Sequence, residues 1–338
     1  MKAYRFDSFD SLDDLKMREE TDPRPQRGEV LVRVRAVSLN FRDIAILRGR
    51  YPRKALPGFI PVSDAAGDVV EVGEGVKSFQ VGDRVIGAFH PRWFSGEAPS
   101  TVLSDSYGAE NDGWLCELKA VSQEAVVRMP DTLSYEEGST LPCAGLTAWT
   151  ALAGPVPIRA GHTVLVQGSG GVSIFALQLA RAVGATVIAT TSSARKAEQL
   201  RALGAAGIVN YAEDPQWGKS VRALTGGRGV DRVVEVGGPG AIAQSLRAVA
   251  LGGEIASIGF LSTENPGIDF FQLKGSGASF RNIAVGDRAG LLDLNRAVAA
   301  TGLKPVIDRV FTFDQAKEAF SHLESGAHLG KVVIRCMA

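Results

Sequence analysis

The chain has 338 residues, of which 45% are hydrophobic and 22% are charged, so it can bury the cores of two domains. Lys plus Arg and Asp plus Glu each number 37, and a formal net charge of zero argues against nucleic acid or an anionic membrane surface as a partner. Because there is no apolar run of about 18 residues, no apolar signal core and no cluster of cysteines, we expect a cytoplasmic protein without a membrane segment.

The N-terminal 125 residues are predicted to be rich in β-strands. Residues 30–37 alternate apolar and polar side chains, which is the period of a half-buried strand. Residues 69–72 are predicted as a strand that enters a glycine turn, and residues 82–87 as another turn and strand. Regular periodicity stops over residues 91–113, which are rich in Gly, Pro, Ser and Asp. We therefore predict a long surface loop there.

Strands and helices alternate in the second part of the chain. Residues 163–190 form a strand, a glycine turn, a helix and a second strand, which is the unit that a parallel crossover needs. The further helices are predicted at 146–152, 219–224, 241–250 and 314–324, and the further strands at 207–210, 231–236, 254–258, 282–285 and 331–335. This alternation favours an α/β fold with a doubly wound parallel sheet.

The glycine turn over residues 168–171 has the composition of a phosphate-binding turn. Gly168 permits the tight turn, and Gly170 lets a pyrophosphate approach the backbone. The free N–H groups and the dipole at the start of the following helix favour negative charge. Ser173 replaces the third glycine of the G-x-G-x-x-G pattern with another small residue. The turn therefore predicts a dinucleotide site, with an ordinary glycine turn as the alternative.

The end of the second strand favours NADPH over NADH. NAD-specific sites place an acidic residue about 20 residues after the glycine turn, where it binds the ribose 2′-hydroxyl. Here the strand ends in the hydroxyls of Thr191, Ser192 and Ser193, and Arg195 and Lys196 follow. Hydroxyls and two cations suit a 2′-phosphate. The alternative is that the serines cap the next helix and the two cations are solvated.

These residues together resemble the medium-chain dehydrogenase/reductases, in particular their zinc-independent, quinone oxidoreductase-like branch. The resemblance covers essentially the whole chain, and its marks are Asn40-Phe41-Arg42-Asp43, Tyr51-Pro52, Ser63-Asp64-Ala65-Ala66-Gly67, Val81-Gly82-Asp83-Arg84-Val85, Leu146-Thr147-Ala148-Trp149, Gln167-Gly168-Ser169-Gly170-Gly171-Val172 and Gly330-Lys331-Val332-Val333. It implies a GroES-like catalytic domain over residues 1–127 and 301–338 and a Rossmann domain over 128–300. It also implies a cofactor in the interdomain cleft and a homodimer formed through the Rossmann sheets.

The resemblance also indicates which residues contact the cofactor. Lys196 is expected to be the main partner of the 2′-phosphate, with Tyr211 at the same adenosine end. Gly237, Gly259 and Phe260 are expected near the nicotinamide ribose, and Thr147 near the carboxamide. Gly330-Lys331 is expected to close the cleft. The predicted cofactor-binding residues are therefore Thr147, Gly168, Ser169, Gly170, Gly171, Val172, Thr191, Ser192, Ser193, Arg195, Lys196, Tyr211, Gly237, Gly259, Phe260 and Lys331.

Matching to the zinc-dependent enzymes of the superfamily predicts no metal. Their catalytic zinc is held by Cys, His and Cys, and the matching positions here are Asn40, Ser63 and Cys143. One thiolate does not replace three ligands of a tetrahedral ion. Their structural zinc needs four closely spaced cysteines, and the loop over residues 91–116 offers only Cys116. We therefore expect no zinc at either site.

The predicted chemistry is hydride transfer to a conjugated acceptor. In a quinone or enone the hydride's charge spreads onto a distant oxygen, which hydrogen-bond donors stabilise. Asn40 and Tyr51 are the candidate donors, because both positions approach the nicotinamide in relatives, and packing is the alternative role of Tyr51. Asp43 and Asp64 are interpreted as structural acids that hold backbone and arginines, with binding of a hard cation as the alternative.

Three hypotheses follow from the sequence. The first is an NADPH-dependent reductase of quinones or α,β-unsaturated carbonyl compounds. The second is an alcohol dehydrogenase that uses an unrecognised metal, which metal analysis would separate from the first. The third is a non-catalytic NADPH-binding protein that acts as a redox sensor, because no indispensable acid or base is evident in the chain.

Overall fold

The computed structural model describes residues 1–9, 11–51, 57–262 and 267–336. Its contacts divide the chain into two units, Met1–Leu146 with Val285–Ala338, and Thr147–Ala284. The predicted limits at 127/128 and 300/301 describe family domains rather than contact units, and they stay a prediction. Pro52, one of the residues that carry the family resemblance, lies outside the described residues.

Strands dominate the first part of the described chain, and strands and helices alternate after it. The first part contains β1 (Lys2–Phe6), β2 (Leu15–Glu19), β3 (Glu29–Leu39), α1 (Phe41–Leu47), β4 (Asp64–Val72), β5 (Arg84–Gly87), β6 (Leu118–Ser122), β7 (Val126–Arg128), α2 (Tyr135–Gly138) and a π-helical turn, Leu141–Gly145. The middle part contains α3 (Leu146–Ala153), β8 (Thr163–Gln167), α4 (Gly171–Ala182), β9 (Thr186–Thr191), α5 (Ala194–Ala202), β10 (Gly207–Asn210), α6 (Trp217–Ala223), β11 (Val230–Glu235), α7 (Pro239–Ala248), β12 (Val249–Ser257), α8 (Phe270–Ser276) and β13 (Ser279–Asn282). The last part contains α9 (Arg288–Thr301), β14 (Ile307–Thr312), α10 (Ala316–Glu324) and β15 (Lys331–Arg335).

The first unit is built on a sheet with the order β14-β15-β3-β4-β5-β7, to which β6 adds beside β3. Strand β3 is eleven residues long, and it pairs antiparallel with β15, β4 and β6. Its side chains from Val30 to Leu39 are largely buried, which agrees with the predicted strand at 30–37. The β-rich character predicted for this part of the chain is confirmed.

The second unit is a six-stranded parallel sheet with the order β10-β9-β8-β11-β12-β13. The strand order reverses between β8 and β11, because the chain builds outward from β8 in one direction and then restarts beside it with β11. The predicted doubly wound sheet is confirmed. Ligands bind such sheets in the crevice at the carboxyl ends of the strands, at the point of reversal.

Two predicted segments were wrong. The strand expected at 282–285 is instead Ser279–Asn282, whose register places Ser279 beside Glu254 and Asn282 beside Ser257. The segment 91–113, expected to be a surface loop, does not lie wholly at the surface, because residues 105–109 are buried. The buried guanidinium of Arg42 donates to the carbonyl of Tyr107 and the hydroxyl of Ser106, both at 2.9 Å. These hydrogen bonds satisfy polar groups that would otherwise need water.

Helix α9, the longest described helix, was missed although its ends carry clear signals. Asp287 precedes it and accepts a hydrogen bond from the Gly290 N–H at 2.6 Å. Gly302 ends it with a left-handed φ of 65°. Such an acidic cap and a terminal glycine are the usual sequence marks of helix ends. No helix in the described ranges combines the length and the apolar character that crossing a bilayer requires.

Candidate active site

The glycine turn lies at the reversal point of the parallel sheet, between β8 and α4. Gly168 has a φ of 70°, and its N–H donates to the Thr190 carbonyl at 2.8 Å. A Cβ added to Gly168 or Gly170 would meet no atom of the described chain within 4 Å beyond its chain neighbours. Helix α4 begins at Gly171. Helix α4 is twelve residues long. The turn therefore leaves open space in front of the helix N-terminus, as a phosphate site requires.

The structure shows why Ser173 can replace the third glycine of the G-x-G-x-x-G pattern. Its side chain is buried, and its hydroxyl donates to the carbonyl of Gln167 at 2.6 Å. The hydroxyl thus ties the first turn of α4 to the last residue of β8. A small residue that makes this bond keeps helix and strand close, which is the role of the glycine in the usual pattern.

A buried polar network that the sequence did not suggest supports the same edge of the sheet. Glu235, the last residue of β11, accepts hydrogen bonds from the N–H groups of Gly237 at 2.7 Å and Gly238 at 3.0 Å. Its second oxygen accepts from Gln167 Nε2 at 2.8 Å and from the hydroxyl of Ser245. Burial raises the pKa of Glu235, and these donors oppose the shift. The network connects the glycine turn with the turn at residues 236–238.

The glycines predicted for the nicotinamide side pack closely against each other. A Cβ on Gly259 would lie 1.9 Å from the Val236 carbonyl oxygen, and one on Gly238 would lie 2.8 Å from Phe260 Cα. Any side chain at these two glycines would force the two turns apart. Gly237, Gly259 and Phe260 therefore lie together at the carboxyl ends of β11 and β12. Thr147 is buried in the first turn of α3.

The residues predicted for the 2′-phosphate lie at the carboxyl ends of β9 and β10. The Thr191 hydroxyl accepts from the Ser193 N–H at 3.3 Å, and its carbonyl accepts from the Tyr211 N–H at 3.0 Å. Ser193 caps α5 by accepting from the Lys196 N–H at 3.4 Å. The capping alternative for this serine is thus observed. Ser192, Arg195 and Tyr211 are exposed and Lys196 is half-buried.

The first unit holds a buried cluster of charged and polar groups. Lys331 Nζ donates to the Leu39 carbonyl at 2.6 Å and to Asn40 Oδ1 at 2.5 Å. Asp64 accepts from the Ser63 hydroxyl at 2.6 Å and from the Cys143 N–H at 3.1 Å. The sequence predicted Lys331 beside the cleft but not these contacts, which join residues 291 and 292 positions apart.

Asn40 and Asp43 complete this cluster from the start of α1. The Asn40 N–H donates to Asp43 Oδ2 at 2.8 Å, and Asn40 Nδ2 donates to the Ser38 carbonyl at 3.4 Å. Burial raises the pKa of Asp43 to about 6, although the charge of Arg42 opposes the shift. The interpretation of Asp43 and Asp64 as acids that hold the backbone is confirmed by these bonds.

Tyr51, the second predicted catalytic residue, lies against a buried arginine. The guanidinium carbon of Arg42 is 5.2 Å from the centre of the Tyr51 ring. Burial lowers the pKa of Arg42, but Tyr51 and Asp43 outweigh this effect and the net shift is upward. Tyr51 is half-buried and packs on the edge of the main apolar core.

The backbone just before Ser63 is strained. Val62 has a φ of 74°, a value that β-branched residues rarely adopt. Its carbonyl accepts from the Trp114 N–H at 2.8 Å, and the facing Gly108 has no room for a Cβ, which would lie 2.7 Å from the Val62 carbonyl carbon. The surroundings thus impose the conformation, and such strain often occurs beside functional residues.

The residues at the positions of the zinc ligands do not fit a zinc ion. Asn40 offers an amide oxygen that already accepts from an ammonium, and Ser63 offers a hydroxyl bonded to Asp64. Burial raises the pKa of the Cys143 thiol well above its usual range, which disfavours the thiolate that binds metal. Within the described ranges, no three His, Cys, Asp or Glu side chains lie close enough to hold a metal together.

Comparison with family models and curated proteins identifies the chain. Residues 26–131 match the alcohol dehydrogenase GroES-like domain, and residues 171–300 match the zinc-binding dehydrogenase domain. A zinc-type alcohol dehydrogenase-like protein of Schizosaccharomyces pombe is 39% identical, over 97% of each chain. The chain belongs to the medium-chain dehydrogenase/reductase superfamily. An acryloyl-coenzyme A reductase of Metallosphaera sedula is 29% identical, over 94% of this chain and 96% of that protein.

Solved structures of the superfamily share the whole fold. A Sinorhizobium meliloti protein described as a candidate alcohol dehydrogenase has a TM-score of 0.92 and 40% identity, over 99% of this chain and 98% of its own. An NAD-dependent alcohol dehydrogenase has a TM-score of 0.90 and 31% identity, over 100% of both chains. A mycobacterial protein in complex with NADPH has a TM-score of 0.83 and 28% identity, over 99% of this chain and 100% of its own. A Coxiella burnetii quinone oxidoreductase has a TM-score of 0.81 and 28% identity, over 100% of this chain and 99% of its own.

Membership confirms the predicted superfamily and the GroES-like and Rossmann folds, and it makes the protein an oxidoreductase. Members of the superfamily bind nicotinamide cofactors. The residues of the second unit fit such a group, because open space lies in front of Gly168 and Gly170 and the first N–H groups of α4 face no preceding helical turn.

Proposed function

We propose that the protein is a zinc-independent, NADPH-dependent reductase of quinones or α,β-unsaturated carbonyl compounds. The observation that carries the proposal is the ammonium of Lys331, which donates to Asn40 at one of the three zinc-ligand positions. A cation bonded there disfavours a divalent ion by repulsion, and the remaining hydroxyl and thiol are too few to hold one. A conjugated acceptor needs a Lewis acid less than a simple ketone does, because its negative charge is delocalised.

The preference for NADPH rests on the residues after β9. The end of this strand carries hydroxyls and no carboxylate, and the exposed Arg195 and half-buried Lys196 follow in the first turn of α5. A 2′-phosphate gains charge-assisted hydrogen bonds from such a set, whereas an acidic residue would repel it. An NAD-dependent enzyme and a protein in complex with NADPH both share this fold. The proposed preference for NADPH therefore rests on these side chains and not on the fold.

The proposed chemistry assigns separate tasks to the residues of the two units. When bound, NADPH supplies the hydride, and residues 168–171 hold its pyrophosphate. Tyr51 donates a hydrogen bond to the acceptor oxygen that gains negative charge, and it is the candidate source of the proton. Asn40 is the second donor, because its 3.4 Å contact with the Ser38 carbonyl is long and a substrate oxygen can replace it.

A screen of NADPH consumption tests the proposed function. The acceptors are quinones, enals, enones and enoyl thioesters, with simple alcohols and ketones as the contrast, and each protein sample is analysed for metal. We expect turnover of conjugated acceptors by metal-free protein. Turnover of simple alcohols by a zinc-loaded protein would favour an alcohol dehydrogenase instead, and tight NADPH binding without turnover of any acceptor would favour a redox sensor.

Removal of the Tyr51 hydroxyl tests its assignment. We expect Tyr51→Phe to lower kcat by about three- to tenfold and to leave the KM for NADPH within about twofold, because one donor to a developing charge is lost. Tyr4→Phe is the matched control, since Tyr4 is a buried tyrosine of the same unit that bonds the Asp314 carbonyl. An unchanged kcat in Tyr51→Phe would assign this ring to packing.

We also propose a homodimer in the cytoplasm, built on the edge strand β13. This strand ends the parallel sheet, and exposed apolar side chains lie in the two elements that precede it in the chain: Leu251 of β12 and Phe271 of α8 are each 81% exposed. An unpaired apolar edge favours pairing with a second copy. The three free cysteines agree with a reducing compartment.

Light scattering tests the dimer. We expect a mass about twice 35.7 kDa for the wild type and the monomer mass for Phe271→Asp, because a buried charge without a partner is costly. Leu224→Asp, at an exposed residue that ends α6, should leave the mass unchanged. A monomeric wild type would contradict the proposal.

A further inference from the structure

The first unit contains a buried lysine whose charge has no task in the proposed chemistry. Lys331 is 3% exposed at the start of β15. Two of its three ammonium protons are donated to the Leu39 carbonyl and to Asn40 Oδ1. A buried ammonium is expensive unless it is paired and fully hydrogen-bonded. Its presence therefore requires an opposite charge nearby.

Asp64 and Asp43 supply that opposite charge, and Arg42 adds a second cation beside Asp43. All four side chains are buried, and Arg42 Nη1 lies 3.9 Å from Asp43 Oδ1. Two cations thus face two carboxylates in one cluster. Burial raises the pKa of Asp64 and lowers that of Lys331, and each charge opposes the shift of the other. Cys143 is the remaining titratable group near Lys331.

The amide of Asn40 is oriented by this arrangement. Its Oδ1 accepts from the ammonium, which can only donate, so its Nδ2 is the atom left to donate elsewhere. Nδ2 donates to the Ser38 carbonyl at 3.4 Å. The Asn40 side chain also forms a hydrogen bond with Asp64, which favours the ionised carboxylate and lowers its pKa. Without the ammonium, no donor at the Lys331 position would require the amide oxygen rather than the amide nitrogen to face it.

We propose that the Lys331 ammonium is the resident cation of this cluster, at the place where zinc-dependent relatives hold their metal, and that it is a positioning residue for the reduction. It compensates Asp64 and fixes the orientation of the Asn40 amide, with the oxygen toward the ammonium and the nitrogen on the donating side. This assignment rests on the proposed function, and it replaces the expectation that Lys331 is a ligand of the cofactor.

Chemical rescue tests the assignment. We expect Lys331→Ala to lower kcat by at least about tenfold while the KM for NADPH stays within about twofold, because a buried charge-assisted bond is lost. Propylammonium, which replaces the missing side chain, should recover at least about a fivefold increase in kcat. Tetramethylammonium at equal ionic strength should recover nothing, because it has no N–H to donate. Lys331→Met should also be slow but insensitive to amines, because its side chain fills the space.

A half-buried lysine elsewhere in the unit is the control. Lys119 Nζ donates to the Asp112 carbonyl at 2.7 Å and lies over the rings of Tyr107 and Trp114. Replacing it, as in Lys119→Met and Lys119→Ala, removes a hydrogen-bonded lysine cation of the same unit that bonds the Asp112 carbonyl rather than Asn40. Amines should have no effect on kcat in either variant.

A double-mutant cycle separates positioning from general destabilisation. If Lys331 acts through Asn40, its loss in the Asn40→Ala background should change kcat by less than about twofold, since interacting residues are not additive. A tenfold further loss in that background would overturn the proposal. So would an increased KM for NADPH with unchanged kcat in Lys331→Ala, which would restore the role of a cofactor ligand.

A measurement without turnover keeps the inference separate from the proposed function. The thermal midpoint of Lys331→Ala should rise with propylammonium, whereas the midpoints of the wild type and of Lys119→Ala should not, because a ligand stabilises only the protein that binds it. No rise would overturn the assignment. If the wild type reduced no conjugated acceptor, the proposed function would fail. The thermal midpoint of Lys331→Ala would still show whether the cluster binds a cation at the position of the Lys331 ammonium.

Discussion

Replacing Arg195 and Lys196 together by alanine is expected to raise the KM for NADPH by about 10- to 100-fold and to change the KM for NADH by less than about threefold. A 2′-phosphate carries charge that these two side chains neutralise, whereas the 2′-hydroxyl of NADH needs no cation. The effect should weaken as salt rises, because both side chains are at least partly exposed. Steady-state kinetics with each cofactor, at a saturating acceptor, measure the ratio.

The control for this double variant is Arg201→Ala. Arg201 is an exposed cation in the last turn of the same helix, so it tests whether loss of any positive charge on α5 has the same effect. Both KM values should stay within about twofold of the wild type. An equal rise of the two KM values in the double variant would mean that Arg195 and Lys196 support the helix rather than the phosphate.

Replacing Glu235 by alanine is expected to lower the free energy of unfolding by about 3–5 kcal/mol. The carboxylate is the acceptor for two backbone N–H groups, a hydroxyl and an amide, all in the buried network at the ends of β8 and β11. Alanine leaves these donors without a partner. Since the same bonds hold Gly237 and Gly238, binding of the dinucleotide should weaken too. Urea denaturation and titration with NADPH measure the two effects.

Two further variants serve as controls for the loss of unfolding free energy in Glu235→Ala. Glu235→Gln keeps an oxygen for the glycine N–H groups but sets an amide nitrogen against Gln167 and Ser245, so we expect a loss of about 1–2 kcal/mol. Glu198→Ala, at an exposed residue of α5, should stay within about 0.5 kcal/mol of the wild type. A loss below about 1 kcal/mol in Glu235→Ala would show that water replaces the carboxylate and that the network is not essential.

Local patterns predicted those parts of the fold whose causes are local. The glycine turn could be recognised because its backbone needs a left-handed residue, and Gly168 has that conformation. The strands at 207–210 and 331–335 were placed correctly because each has β-branched apolar residues at its centre, Ile-Val in the first and Val-Val-Ile in the second. The strand at 279–282 was misplaced because its end depends on pairing with β12, which no local pattern reveals.

The polar networks of the site escaped prediction because they join distant parts of the chain. Gln167 and Glu235 are 68 positions apart, and Asn40 and Lys331 are 291 positions apart. Family resemblance selected Asn40, Tyr51 and Lys331, but it did not indicate that Lys331 would donate a hydrogen bond to Asn40. The strained Val62 has no sequence signal, because its conformation is imposed by Gly108 and Trp114.

The most direct test is a comparison of kcat/KM for NADPH and for NADH with one conjugated acceptor, on protein from which a chelator has removed metal. The account predicts a preference for NADPH of at least about 100-fold, from the charge-assisted bonds to the 2′-phosphate, and the same rates before and after chelation. Equal use of NADH, or activity that disappears with the chelator and returns with zinc, would contradict it.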